Sequence, residues 1–307
     1  MSRGVESRDT GARGQRARGA RAKGARAKGA RVKGVRPAGV RLQKFLAGLG
    51  FGSRREIEGW IRDQRVRVNG KAAQLGLLVG DGDVVQFGEQ RIEVAIEPTR
   101  ARVLLYNKRT GEICTRHDPE GRTTVFARLP RLRSGRWVSI GRLDFNTSGV
   151  LLFTNDGTLA HRLMHPSAGI DREYAVRVDG TLEPELIQRL LDGVELEDGP
   201  ASFSDVRYYA GQGRNHWYHV VMMEGRRREV RRMFEAVGAR VTRLKRVRFG
   251  PVILPSRLRS GKCMELNEEE VRLLFRLVRL SAPAEAGPPR PSKDRRKSVL
   301  LPYPGLS

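Results

Sequence analysis

Cysteine and long apolar runs are both scarce in this sequence of 307 residues, and each shortage closes off a class of protein. Its 2 cysteines, Cys114 and Cys263, lie far apart with no CxxC or Cys/His spacing around them, which argues against a disulfide scaffold and against a structural zinc site. The longest stretch without a charged residue is the eleven residues from Phe145 to Asn155. A membrane-spanning helix needs about 18, so an integral membrane protein of that kind is excluded. The N-terminus has no apolar signal region, and a reducing, cytoplasmic compartment is therefore expected. Nowhere does the sequence carry a phosphate-binding P-loop or a dinucleotide fingerprint, and no helix-turn-helix or zinc-finger pattern argues for DNA binding. The histidine pairs His161/His165 and His216/His219 each lack a third ligand beside them and read as structural or surface groups, so no metal is expected.

What is abundant is positive charge. Lys and Arg number 59 against 34 Asp and Glu, a net of 59 − 34 = +25. A basic protein with 39% hydrophobic residues can bury a core, and its excess of cations points to nucleic acid, whose phosphates they neutralise with release of counterions. The charge is uneven. Residues 1–40 hold 12 basic and 2 acidic side chains, a net of 12 − 2 = +10. Within them a five-residue unit recurs from Arg13 to Pro37, with a glycine in each copy and no apolar face. Such a segment opposes a stable helix and is expected to be disordered, either as an electrostatic tether for RNA or as a low-complexity tail without a specific role.

At Arg41 the pattern changes. Leu42, Phe45, Leu46 and Leu49 recur at the spacing of one apolar helix face, and Ser53-Arg-Arg-Glu56 is a capping box that starts a second helix burying Ile57, Trp60 and Ile61. Arg65 to Val68 alternates like a strand, Asn69-Gly70 suits a tight hairpin, and Asp81-Gly82-Asp83 turns the chain before a strand at Val84 to Phe87. Roughly residues 41–97 resemble an S4 RNA-binding domain. The resemblance puts phosphate contacts at Arg41, Lys44, Ser53, Arg54, Arg55, Arg65 and Arg67. Pro98 and Thr99 mark a hinge, in a charge-rich run from Arg91 to Arg102 that reads as a linker.

From Val103 onward, short strands alternate with helices without a regular βαβ rhythm. Strands are expected at 103–107, 149–154, 173–178 and 217–223, and helices at 183–191, at 227–237 and from Asn267, where Glu270 completes a second capping box. The pattern implies an α+β domain around a mixed, mainly antiparallel sheet. Within it Asp144 sits between an arginine-bearing turn and a long apolar strand, in the string GRLDFNTSGVLLFTNDG from Gly141 to Gly157. By composition alone an Asp in such a turn is a cap more often than a nucleophile. Asp156-Gly157 reads in the same way, as the cap of a helix over Leu159 to Met164.

That string, with REYAVRV at Arg172 to Val178 and EGRRREVRRMF at Glu224 to Phe234, resembles the signature of the pseudouridine synthases that pair an S4 domain with a catalytic domain. GVELEDGPA at Gly193 to Ala201 and the pair Arg228-Glu229 resemble the branch acting on the 23S rRNA of the bacterial large subunit. The resemblance covers about residues 41–280. It implies an S4 domain over 41–97 and a catalytic domain over 98–280 and leaves both ends uncovered, where a disordered basic arm over 1–40 and a flexible tail over 281–307 are expected. It also implies Asp144 as nucleophile, Arg231 as its paired cation and Tyr174 stacked on the detached uracil. Arg142 would hold the place of a flipped-out base or a phosphate, while Arg226, Arg227, Arg228 and Arg232 would track the RNA backbone. Because the isomerisation changes no redox state, no cofactor is implied. The expected partner is 23S rRNA or a large-subunit assembly intermediate, met by a monomer. The competing reading is a non-catalytic rRNA-binding or ribosome-assembly factor that retains the fold.

Overall fold

The computed structural model describes residues 39–96, 100–132, 135–282 and 298–304. The repeat arm and the Pro98-Thr99 hinge lie outside the described residues.

In the first module a short strand β1 (Val40–Arg41) leads into helix α1 (Leu42–Leu49), which ends where Gly50 takes a φ of 93°. Leu42, Leu46 and Ala47 are its buried residues, whereas Leu49, expected on that face, falls in the last turn and stays exposed. Helix α2 (Arg54–Arg62) begins with the capping box: Ser53 Oγ accepts from the Glu56 N–H at 3.2 Å and the Glu56 carboxylate accepts from the Ser53 N–H. Ile57 and Ile61 are buried, and Trp60 is half-buried with its ring stacked 4.6 Å from Phe87. Strands β2 (Val66–Val68) and β3 (Lys71–Ala72) form the hairpin, with Asn69 and Gly70 at φ of 51° and 79°, the positive angles the tight turn requires. The sidechain of Asn69 also locks the next turn, accepting from the Val84 N–H at 2.8 Å and donating to Asp83 at 2.9 Å. Strand β4 (Leu78–Val79) pairs with β1, and β5 (Val84–Phe87) with β2 and β6 (Gln90–Glu93). The run read as a linker from Arg91 therefore begins inside a strand.

The second module is built on a nine-stranded sheet. Its members are β7 (Val103–Lys108), β8 (Val138–Ile140), β9 (Thr147–Thr154), β10 (Arg172–Asp179), β13 (Asp205–Gln212), β14 (Asn215–Met222), β15 (Val241–Phe249), β16 (Val252–Ile253) and β17 (Cys263–Glu265). Between β10 and β13 a small hairpin of β11 (Val194–Leu196) and β12 (Gly199–Ala201) stands apart. The main order is β13-β14-β10-β15-β9-β7-β17, and only β15 and β9 run parallel, so the sheet is mixed and mainly antiparallel. Among the described residues four α-helices complete the module: α3 (Gly157–Met164), α4 (Pro184–Asp192), α5 (Glu229–Ala236) and α6 (Glu268–Leu277). One apolar core joins Tyr174, Val176, Leu190, Met233 and Phe234, and the other joins Val150, Leu152, Leu159, Leu163, Leu274 and Phe275. Among the described residues no helix is long and apolar enough to cross a membrane.

Within the range expected as a flexible tail, residues 298–304 pack on the synthase domain. Val299 is 1% exposed, donates its N–H to the Glu270 carboxylate at 2.9 Å and accepts from the Ile253 N–H at 2.9 Å. The Tyr303 hydroxyl donates to Asp171 at 2.7 Å. These partners lie far away in sequence, which is why composition concealed them.

Candidate active site and RNA interface

Asp144 stands in the loop between β8 and β9, half-buried, with its backbone fixed from two sides. On one side Leu143 exchanges hydrogen bonds with Cys114, whose thiol donates to the Leu143 carbonyl at 3.3 Å. On the other, Lys108 ends strand β7 with an ammonium that donates to the carbonyls of Asp144 at 3.0 Å, Thr147 at 2.8 Å, Arg109 at 2.9 Å and Phe145 at 3.4 Å. Lys108 is 0% exposed, and burial pushes its pKa down while neighbouring groups, including Asp144, pull it back. A buried cation held only by backbone carbonyls is costly unless those bonds are well made, and here they pin the turn that carries the carboxylate.

Arg231 is 9% exposed on α5 and reaches the same loop. Its guanidinium donates to the Val241 carbonyl at 2.9 Å and the Asn146 carbonyl at 3.1 Å, and its buried Nε has no partner. Burial pushes its pKa down and the charge of Asp144 acts the other way. The direct ion pair expected between Arg231 and Asp144 is not formed; the guanidinium is turned to the backbone carbonyls of Val241 and Asn146 instead. The Asp144 carboxylate has no ion pair or hydrogen bond among the described residues and is left available. Tyr174 lies on β10, 7% exposed, opposite Arg246 of β15, another buried cation, which donates to the Val150 carbonyl at 2.8 Å. Arg142 projects exposed from the Asp144 loop.

The arginines of the α5 region divide. Arg226 is engaged by Glu229 at 2.8 Å and Asp198 at 3.1 Å, and Arg232 holds Asp198 through two bonds of 2.8 and 2.9 Å. Both were expected on RNA backbone; instead they tie the hairpin of β11 and β12 to α5. Arg227 and Arg228 are exposed, Arg228 in the left-handed region at φ 50° with a 3.4 Å contact to Glu235. In the first module Arg54, Arg55, Arg65 and Arg67 are exposed and face no carboxylate among the described residues, Arg65 lying over the Phe87 ring at 5.5 Å. Arg41 bonds the Gly76 carbonyl, and the Ser53 hydroxyl is occupied as a helix cap. Lys44 donates to Thr158 at the start of α3 at 3.2 Å, and Arg136 to the Gly52 carbonyl at 2.7 Å, so both fasten the two modules together.

Lys108, Cys114 and Arg246 are the site's neighbours that sequence reasoning missed. Lys108 carried one signal, a lysine closing an otherwise apolar strand. Among the described residues no group of His, Cys, Asp and Glu could hold a metal ion.

A buried arginine and a caged lysine thus surround one available carboxylate, in a chain that also carries a small domain bearing exposed cations. A family model described as RNA pseudouridylate synthase matches residues 102–236, and one described as S4 domain matches residues 40–85. The chain belongs to the RNA pseudouridylate synthase family, with an S4 domain ahead of the synthase domain. It is 57% identical over 250 residues to ribosomal large subunit pseudouridine synthase B of Pseudomonas aeruginosa, covering 80% of this chain and 64% of that one, just under two thirds of the relative's length. It is 55% identical to the protein of the same name in Vibrio cholerae, covering 78% and 75%, and 49% identical to that of Escherichia coli, covering 84% and 89%. A solved structure described as a pseudouridylate synthase superposes with a TM-score of 0.54 at 26% identity, covering 76% of this chain and 99% of that one.

Proposed function

We propose that this protein isomerises a specific uridine of bacterial 23S rRNA to pseudouridine, with Asp144 as nucleophile. The reaction breaks the bond between N1 of uracil and C1′ of ribose, turns the base, and joins C1′ to C5, which loses its proton while the freed N1 takes one up. The observation that carries the reading is the Asp144 carboxylate itself: half-buried, on a loop fixed by Lys108 and Cys114, within the field of Arg231, and bound to no other side chain. A carboxylate on a backbone held in this way, with its oxygens bound to no other group, is placed to attack an anomeric carbon. Arg231 braces the loop through Asn146 and supplies a positive field. Tyr174 stacks on the detached base and assists removal of the C5 proton. The target leaves its helix to reach the pocket, and Arg142 holds the vacated place or a phosphate. Arg54, Arg55, Arg65, Arg67, Arg227 and Arg228 contact RNA backbone, while Arg41, Lys44, Ser53, Arg226 and Arg232 serve chiefly to shape the protein.

Mapping pseudouridine in 23S rRNA from cells lacking the protein, complemented with wild type or Asp144→Asn, tests the assignment. One modified position is expected to vanish without the protein and to stay absent with the variant, while RNA affinity is retained. Wild-type levels of pseudouridine with Asp144→Asn would remove Asp144 as nucleophile, and a signal lost only from small-subunit RNA would overturn the substrate.

A further inference from the structure

The strands β13, β14, β10 and β15 bury one face against the apolar core that contains Tyr174, Val176, Val178, Tyr218 and Val220. Their opposite face contributes to neither apolar core. Register places its residues side by side: Trp217 opposite Arg177, His219 opposite Ala175 and Arg207, and Arg243 and Lys245 opposite Arg177 and Ala175. Directly paired residues project from the same side of a sheet, so these cations and aromatic rings share one surface. At its edge a register shift between Tyr208 and Ala210 throws out Tyr209, which is 73% exposed with its ring 5.0 Å from that of His219. Arg177 lies over the Trp217 ring at 5.9 Å and is steadied by Thr242 at 2.9 Å. Trp217 and His219, two residues apart on one strand, are separated by about 7 Å.

The charge of this surface selects its occupant. Its acids are already matched, Glu173 by His219 and Arg248 and Asp205 by Arg207, which leaves Arg177, Arg243 and Lys245 without a carboxylate among the described residues. The chain's own remaining segments have the wrong sign: residues 1–40 carry +10, and residues 283–297 carry 5 − 2 = +3. An anionic partner that also offers flat rings satisfies both the cations and the exposed aromatics.

We propose that this sheet face is a second RNA-docking surface, on which an unpaired RNA segment outside the modification pocket lays its bases on Trp217, His219 and Tyr209 and its phosphates along Arg177, Arg243 and Lys245. Sheets bearing aromatics and cations suit unpaired RNA because every base has a face to stack and the backbone a charge to neutralise. The proposal rests on the protein acting on RNA but not on the chemistry assigned to Asp144.

The test uses the intact chain and a fluorescent single-stranded RNA of mixed sequence, about 12 nucleotides long, within the span one such platform covers. Tyr209→Ala is expected to weaken binding about fivefold or more. Arg243→Glu with Lys245→Glu is expected to weaken it more than tenfold and to flatten the slope of log affinity against log salt by about 1.4, two single-strand phosphate contacts. Photo-crosslinking with thiouridine-substituted RNA should label the peptide containing Trp217. Unchanged affinity and slope in variants with wild-type circular dichroism would overturn the proposal, as would crosslinks confined to the S4 domain. Wild-type RNA affinity combined with lost association with large-subunit precursor particles would also overturn it and assign the face to a protein. Asp144→Asn should bind this RNA like wild type, so failure of the nucleophile assignment and failure of this surface give different results.

Discussion

Four exposed cations of the S4 domain and the cations around the Asp144 loop and α5 of the synthase domain use the same kind of side chain in opposite ways. In the S4 domain Arg54, Arg55, Arg65 and Arg67 stand in solvent with no carboxylate beside them. In the synthase domain Lys108, Arg231 and Arg246 are buried, and Arg226 and Arg232 are matched to acids. A solvated guanidinium keeps its donors for a phosphate, whereas a buried or paired one has given them to the protein and acts by fixing geometry. Total charge therefore says little about where RNA binds. The informative quantity is how many cations remain unspent.

That contrast can be broken most severely at Lys108. Lys108→Met takes the ammonium donor from the buried Thr147 carbonyl and leaves the Asp144 carbonyl with the Thr147 N–H alone, and a destabilisation of about 2–4 kcal/mol is expected from urea denaturation. Loss of the loop's placement should lower pseudouridine formation by about 100-fold or more, read as turnover on 23S rRNA under conditions where the variant is folded. Arg54→Glu with Arg55→Glu should do the reverse. RNA affinity should fall more than tenfold and the salt dependence weaken by about 0.9 in log–log slope for each lost duplex phosphate contact, with stability changed by less than about 0.5 kcal/mol. Equal losses of stability and affinity in this variant would mean that the S4 cations are structural after all. Arg232→Ala is the matched control in the synthase domain. It should lower the urea midpoint by removing two of the bonds that hold Asp198, and leave RNA affinity as it was.

The smallest effect is expected in the pH dependence of stability. The hydrogen bond from Arg232 holds the Asp198 carboxyl below its ordinary value, with a further contribution from Arg226. A depressed folded pKa gives stability that is present above the unfolded value, about 4 for an aspartate, and lost as pH falls through the folded one. Thermal unfolding of Asp198→Asn followed downward from pH 5 should therefore fall slightly less steeply than that of wild type. Parallel curves would show that the pair contributes nothing in solution, as many exposed pairs do not.

Much of the architecture was legible because its causes are local. The capping boxes at Ser53 and Asn267, the Asn69-Gly70 hairpin and the Asp156 cap are each set by residues within four positions of one another, and all formed as expected. Strand β15 escaped detection for the same reason in reverse. Its run of Arg243, Lys245, Arg246 and Arg248 reads as solvated, yet the chain places it beside β9 in the middle of the sheet and buries Arg246.

The sequence by itself determined the capped helices and the Asn69-Gly70 hairpin, the excess of positive charge and the loop that carries Asp144, because propensity, capping and alternation act over a few residues. Tertiary structure alone decided which cations are free. Arg226 and Arg232 meet Asp198 about thirty positions away, Lys108 meets the Asp144 loop across two strands, and Tyr303 meets Asp171 from the far end of the chain. Desolvation and pairing are properties of the neighbours that folding brings together, and neighbours distant in sequence have no local signature.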